Sequence, residues 1–137
     1  MTWLLDTNVL SEVRKGERAD PNVRGWYDRA AEDDLFTSVM VLAEIRRGVE
    51  LLRRQDRAAA LAIEQWLLRL RTTFGERVLP INSDVAEEWA VLNVPDPVPV
   101  IDGLMAATAL VYDLTLVTRD VRAVERTGVR ILNPWIG

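Results

Sequence analysis

The sequence predicts an α/β fold: a three-layer α/β/α sandwich with a mostly parallel central sheet. Two observations carry the prediction. Short continuous apolar runs, Trp3-Leu4-Leu5 and Leu114-Thr115-Leu116-Val117-Thr118, read as strands buried on both faces. Segments with helical spacing of apolar residues lie between such runs, and that alternation means parallel strands joined by right-handed crossovers. The whole chain of 137 residues is expected to form one domain, 1–137, since domains cluster at roughly 100–150 residues.

The elements follow in order. Strand one ends at Asp6, where Asp6-Thr7-Asn8 supplies capping side chains before Val9, Leu10 and Val13. Asp20-Pro21 is a second start signal, an N-cap with Pro in the first turn, opening a helix through Trp26 and Tyr27. Past the acidic turn Glu32-Asp33-Asp34, Leu35-Phe36-Thr37 reads as a strand and Ser38 as the next cap. Along Val39 to Leu52, the residues Val41, Ile45, Val49 and Leu52 make one apolar stripe. Glu44 lies on its flank, where a carboxylate is partly desolvated. Asp56 caps a long helix ending near Gly75, which has two apolar faces: Leu61 with Leu68, and Ile63, Trp66, Leu67 with Leu70. That is more apolar surface than one core needs, so Ile63, Trp66, Leu67 and Leu70 are candidate partner-binding residues, with central core as the other reading. Arg77-Val78-Leu79-Pro80-Ile81 reads as an edge strand, because Pro cannot donate to a central ladder. Ser83 caps a helix through Trp89, and a Pro-rich loop spans Val94 to Pro99. The stretch from Ile101 to Tyr112 is apolar almost all round and reads as a buried helix with Asp102 in its first turn. Strands at Leu114–Thr118 and Val129–Leu132 close the sheet before Asn133-Pro134-Trp135.

Composition narrows the chemistry. There is no Cys and no His, which removes thiol nucleophiles, zinc fingers, Ser-His-Asp triads and imidazole ligands. With 17 basic and 21 acidic residues the net charge is −4, against the basic footprint of a passive nucleic-acid binder. A metal-dependent nuclease stays open, since bound divalent cations reverse the field of an acidic site. All the basic residues except Lys15 are arginine, suited to forking phosphates. The N-terminal residues lack the pattern of a signal peptide and no segment reaches the length of a membrane span, so the expected location is the cytoplasm.

Two strands finish in a carboxylate, Asp6 and Asp120, and parallel strands end on one edge of the sheet, where ligands bind. The loop before Asp102 is expected to reach that edge, with the half-buried Glu44 nearby. Four carboxylates with no His, no Cys and few Lys nearby repel one another unless cations sit among them, and all-oxygen sites suit Mg²⁺ or Mn²⁺. Each acid also has a plain structural role, Asp6 and Asp102 as N-caps and Asp120 as a turn residue. Asn8 stands where a haloacid-dehalogenase-type enzyme needs a second Asp, and no glycine-rich nucleotide cradle is present.

The motifs Leu4-Leu5-Asp6-Thr7-Asn8-Val9-Leu10-Ser11, Ala43-Glu44-Ile45-Arg46-Arg47-Gly48, Asp102-Gly103-Leu104-Met105-Ala106-Ala107-Thr108-Ala109, Val117-Thr118-Arg119-Asp120 and Asn133-Pro134-Trp135 follow one another along the chain. Together they resemble the PIN-domain family, and more closely its VapC/FitB-like toxins of toxin–antitoxin pairs. The resemblance implies a Mg²⁺- or Mn²⁺-dependent endoribonuclease whose acids fall on Asp6, Glu44, Asp102 and Asp120. Thr118 matches the family's hydroxyl position and Asn8 the polar residue beside the first acid. Ala123-Val124 departs from relatives that carry a further Asp and an aromatic there, which leaves Asp120 as the fourth acid. The resemblance further implies a cognate antitoxin, a toxin homodimer, and contact with DNA only through the antitoxin. The rival readings are a non-catalytic interaction module on the same fold and a metal-dependent phosphatase or DNA nuclease.

Overall fold

β1 (Trp3–Leu5) is the middle strand of a five-stranded sheet, in a computed structural model that describes residues 1–136. It pairs with β2 (Leu35–Ser38) on one side and β4 (Thr115–Val117) on the other, with Leu4 opposite Phe36 and Leu116. β3 (Val78–Leu79) and β5 (Ile131–Leu132) form the edges, giving the order β3-β2-β1-β4-β5. Every pairing is parallel, so the sheet is wholly and not just mostly parallel. The apolar runs behave accordingly: Leu4, Leu5, Leu116 and Val117 are buried, each Leu contributing about 1.5–3 kcal/mol of apolar burial. Pro80 follows directly on the edge strand β3, where a missing N–H disturbs no inner ladder.

The helices are α1 (Thr7–Val13), α2 (Pro21–Arg29), α3 (Val39–Arg53), α4 (Arg57–Phe74), α5 (Ser83–Leu92), α6 (Val100–Val111) and the single-turn α7 (Val121–Val124). Asp6, Asp20, Ser38 and Asp56 cap α1, α2, α3 and α4 by accepting backbone N–H groups. α5 is capped by Asn82, which accepts from the Val85 N–H, so the cap lies one residue before the expected Ser83. An asparagine amide oxygen reaches this donor as readily as a hydroxyl, and Ser83 becomes the first helical residue. Gly75, at φ +52°, ends α4 in a conformation that disfavours any side chain.

α3 and α4 form an antiparallel pair fastened by Arg46 and Arg53, which both reach Glu64 and Glu50. This packing decides the fate of the two-faced helix. Leu67 and Leu70 lie in the core with Phe74, which corrects their assignment as partner-binding surface. The outward leucines are Leu61 and Leu68, each 49% exposed, while Ile63 and Trp66 are half-buried. No helix among the described residues is long and apolar enough to cross a membrane.

The chain runs from β1 outward through β2 to β3, then returns to lay β4 and β5 on the opposite flank of β1. The reversal falls between β1 and β4, and in an open parallel sheet a crevice for ligands forms at the C-terminal ends of the strands there.

Candidate active site

Leu5 pairs with Val117, and the next N–H along, that of Asp6, still donates to the Val117 carbonyl at 3.0 Å. The ladder thus carries Asp6 and Thr118 side by side out of the sheet. Asp6 Oδ1 accepts the Thr7 N–H at 2.8 Å, and Oδ2 accepts the Thr118 hydroxyl at 2.7 Å. The same carboxylate therefore caps α1 and faces the crevice, so the structural and the functional roles coincide.

Thr118 is the hub of a polar chain. Its Oγ1 accepts the Asp120 N–H at 3.0 Å and an Asn8 amide N–H at 3.3 Å. The Asn8 amide also donates to Asp120 Oδ2 at 3.3 Å, while its Oδ1 accepts the Arg119 N–H. Asp102 enters from the first turn of α6. One carboxylate oxygen from each of Asp6, Asp102 and Asp120 lies within 4.8 Å of the others.

Glu44 stands apart from this trio. It is half-buried on the flank of α3, as expected, and its Oε1 accepts the Thr7 hydroxyl at 2.6 Å. The sequence reading missed Thr7; the available signal was a hydroxyl in the first turn of the helix that Asp6 caps. The four acids are therefore three plus one, and Glu44 acts on Asp6 and Asp102 through its charge.

Burial pushes the Asp6 carboxyl above the usual carboxylate range; the Thr118 and Thr7 hydrogen bonds oppose this, and Glu44 and Asp102 add to the rise. Asp102 is likewise raised, by burial first and then by the charges of Asp120 and Glu44. No Arg or Lys forms an ion pair with any of the four among the described residues. Hard, acceptor-only oxygens that converge without a basic partner could hold a metal ion.

Two features flank the cluster. On the Glu44 side, a cleft of about 320 Å³ opens between α1, α3 and α4, with Ile63 and Trp66 in its wall. On the Asp120 side, the Arg119 guanidinium stacks on Trp135, 4.4 Å from the ring centroid, with Arg122 in the same shallow depression. The sequence reading placed Trp66 and Ile63 on a partner surface; the structure puts both beside Glu44.

The PIN domain family matches residues 3–129. Toxin FitB of Neisseria gonorrhoeae is 36% identical over 141 residues, covering 96% of this chain and 97% of FitB. The VapC ribonuclease Y4jK of Sinorhizobium fredii is 32% identical over 139 residues, covering 96% of each. Among solved structures, FitAcB from Neisseria gonorrhoeae superposes with a TM-score of 0.88 at 31% identity, over 98% of this chain and 99% of that one. FitAB bound to an IR36 DNA fragment gives 0.82 at 32%, over 98% and 96%.

Proposed function

The chain belongs to the PIN-domain family, and from that premise we propose that it is the toxin of a toxin–antitoxin pair, an endoribonuclease that hydrolyses RNA phosphodiester bonds. The observation that carries the reading is the convergence of Asp6, Asp102 and Asp120 oxygens within 4.8 Å, with no basic side chain paired to them among the described residues. Asp6, Asp102 and Asp120 would hold the cation, Mg²⁺ or Mn²⁺, and Glu44 would complete the acidic set. When bound, that cation activates water and stabilises negative charge on the phosphate. The protein's own groups keep the ligands aimed. Thr118 fixes the Asp6 carboxylate from one side and the Thr7 N–H from the other. The Asn8 amide holds Asp120, and the Thr7 hydroxyl holds Glu44. Arg119, braced on Trp135, and Arg122 bind flanking phosphates outside the carboxylate pocket.

We further place a cognate antitoxin on the toxin, a toxin homodimer, and the pair in the cytoplasm. Contact with DNA falls to the antitoxin, in keeping with an overall acidic chain of net charge −4.

The test is cleavage of a single-stranded RNA, the matched DNA and a phosphate monoester, with Mn²⁺ or with EDTA. The expected result is RNA cleavage that needs the metal and is lost in Asp102→Asn. Equal turnover of DNA or of the monoester supports the other enzyme readings. No turnover, together with a melting temperature that Mn²⁺ leaves unmoved, supports an interaction module.

A further inference from the structure

α3 carries a glycine that its packing does not require. Gly48 lies in the helix interior, outside the left-handed region, and a Cβ built on it meets nothing within 4 Å. An interior glycine weakens a helix relative to alanine, so space, and not backbone conformation, accounts for this residue. The space belongs to the cleft of about 320 Å³ between α1, α3 and α4. Thr7 and Glu44 line that cleft and also belong to the acidic site, so the two are continuous.

The lining has a particular chemistry. Trp66 offers a half-buried indole face, and the exposed Arg14 holds its guanidinium over the ring, 5.7 Å from the centroid. That spacing is looser than close stacking, and an exposed arginine is free to swing aside. Ser11 and Thr7 add hydroxyls, and Glu44 an acceptor, at the polar side. An aromatic face, a planar cation and short polar groups are what an unstacked nucleobase uses, by stacking and by hydrogen bonds along its edges. The volume lies at the small end of ligand sites, right for one base and too small for a paired one.

We propose that this cleft is the subsite for one unpaired nucleobase of the substrate RNA, next to the scissile phosphate, with Trp66 and Arg14 as specificity-determining residues. The proposal rests on the ribonuclease reading above. It means that the protein cuts single strands, since a base held in a duplex stack cannot enter the cleft.

Gly48→Leu tests it, because leucine is a better helix former and fills the opening without replacing any site residue. Trp66→Ala is the second variant, with thermal melts to show that both fold. Binding to a short single-stranded RNA is measured in Ca²⁺ by fluorescence anisotropy, and cleavage in Mn²⁺. Both variants are expected to bind RNA about tenfold more weakly and to raise KM by a similar factor, with kcat within about twofold of the parent. Replacing the base at the cleavage site by an abasic nucleotide weakens the parent by the same factor and leaves Gly48→Leu unchanged. RNA affinity and KM equal to the parent's in Gly48→Leu overturn the proposal, as does a loss confined to antitoxin binding. A parent that binds RNA through the cleft but cleaves none overturns the ribonuclease reading and leaves the subsite standing. A parent that neither binds nor cleaves RNA overturns both.

Discussion

The Thr118 hydroxyl donates to Asp6 Oδ2 across 2.7 Å, tying the end of β4 to the end of β1 where the strand order reverses. Both residues are buried, Thr118 at 1% and Asp6 at 7% exposure, so no water competes freely for that oxygen. A hydrogen bond behind a ligand fixes its orientation, and losing such support typically weakens a metal site about 10- to 100-fold. Thr118→Val keeps the shape but removes the donor to Asp6 and the acceptor for the Asp120 N–H. It should lower Mn²⁺ affinity about tenfold and cost about 1–3 kcal/mol of stability, measured by calorimetric titration and by urea unfolding. Unchanged affinity would show that Thr118 serves only the fold.

Asp102 sits within the three-carboxylate cluster and has no cationic partner among the described residues. Asp102→Asn should therefore be at least as stable as the parent in EDTA, because neutralising one member relieves the repulsion among the rest. The same variant should lose the rise in melting temperature that Mn²⁺ gives the parent, and cleave no RNA. Full Mn²⁺-dependent cleavage by Asp102→Asn would remove Asp102 from the site.

The acidic cluster also fixes a pH dependence. Asp6 and Asp102 have carboxyl groups raised in the folded protein, so between the ordinary value and the raised one the unfolded chain has lost a proton that the folded chain keeps. The unfolded state then binds fewer protons, and the stability of the metal-free protein falls as pH rises through that window. Glu12 runs the other way: the Asp20 N–H and Lys15 lower it, and its contribution is lost as pH falls. Comparing Asp102→Asn with the parent cancels such terms. In EDTA the advantage of the variant should be absent near pH 4 and grow toward pH 7, read from denaturant unfolding at each pH. An advantage that shrinks over that range would contradict the raised carboxyl.

Much of this was legible in the sequence for local reasons. Asp20-Pro21, Ser38 and Asp56 announce helix starts because capping depends on the next three residues alone. Trp3-Leu4-Leu5-Asp6 announces a buried strand ending in an acid for the same local reason. What escaped depends on distant partners. The strand order, which puts Asp6 beside Thr118, needs contacts 112 residues apart. The Thr7–Glu44 hydrogen bond, which separates Glu44 from the trio, joins two helices. The periodicity of α4 showed two apolar faces, but only its packing on α3 and β2 decides which one is core.

That decision can be checked on α4. Leu67 is 2% exposed in the core, and Leu68, its neighbour in sequence and about a quarter-turn further round α4, is 49% exposed. Leu67→Glu buries an unpaired carboxylate and deletes packing, and should cost more than about 3 kcal/mol or prevent folding. Leu68→Glu should stay within about 0.5 kcal/mol of the parent in urea unfolding. Equal, mild effects from both would mean that Leu67 is surface and that the partner face is where periodicity first put it.

The absence of histidine bears on the reaction's products. A ribonuclease that uses the RNA's own 2′-hydroxyl as nucleophile needs a base and an acid poised near neutral pH, and imidazole is the usual side chain for both tasks. This chain has none, and its site offers carboxylates, a threonine hydroxyl and an amide. On the ribonuclease reading the expected nucleophile is therefore water, which attacks phosphorus in line and expels the 3′-oxygen, the proton of the water passing to solvent or a site carboxylate. The upstream fragment should end in a free 3′-hydroxyl and the downstream fragment should begin with a 5′-phosphate. A substrate with a single 2′-deoxynucleotide at the scissile bond should still be cut, more slowly if recognition uses that hydroxyl. Mass spectrometry of the fragments decides the matter: a 2′,3′-cyclic phosphate on the upstream piece, or complete resistance of the 2′-deoxy substrate at saturating concentration, would show that the 2′-hydroxyl is the nucleophile.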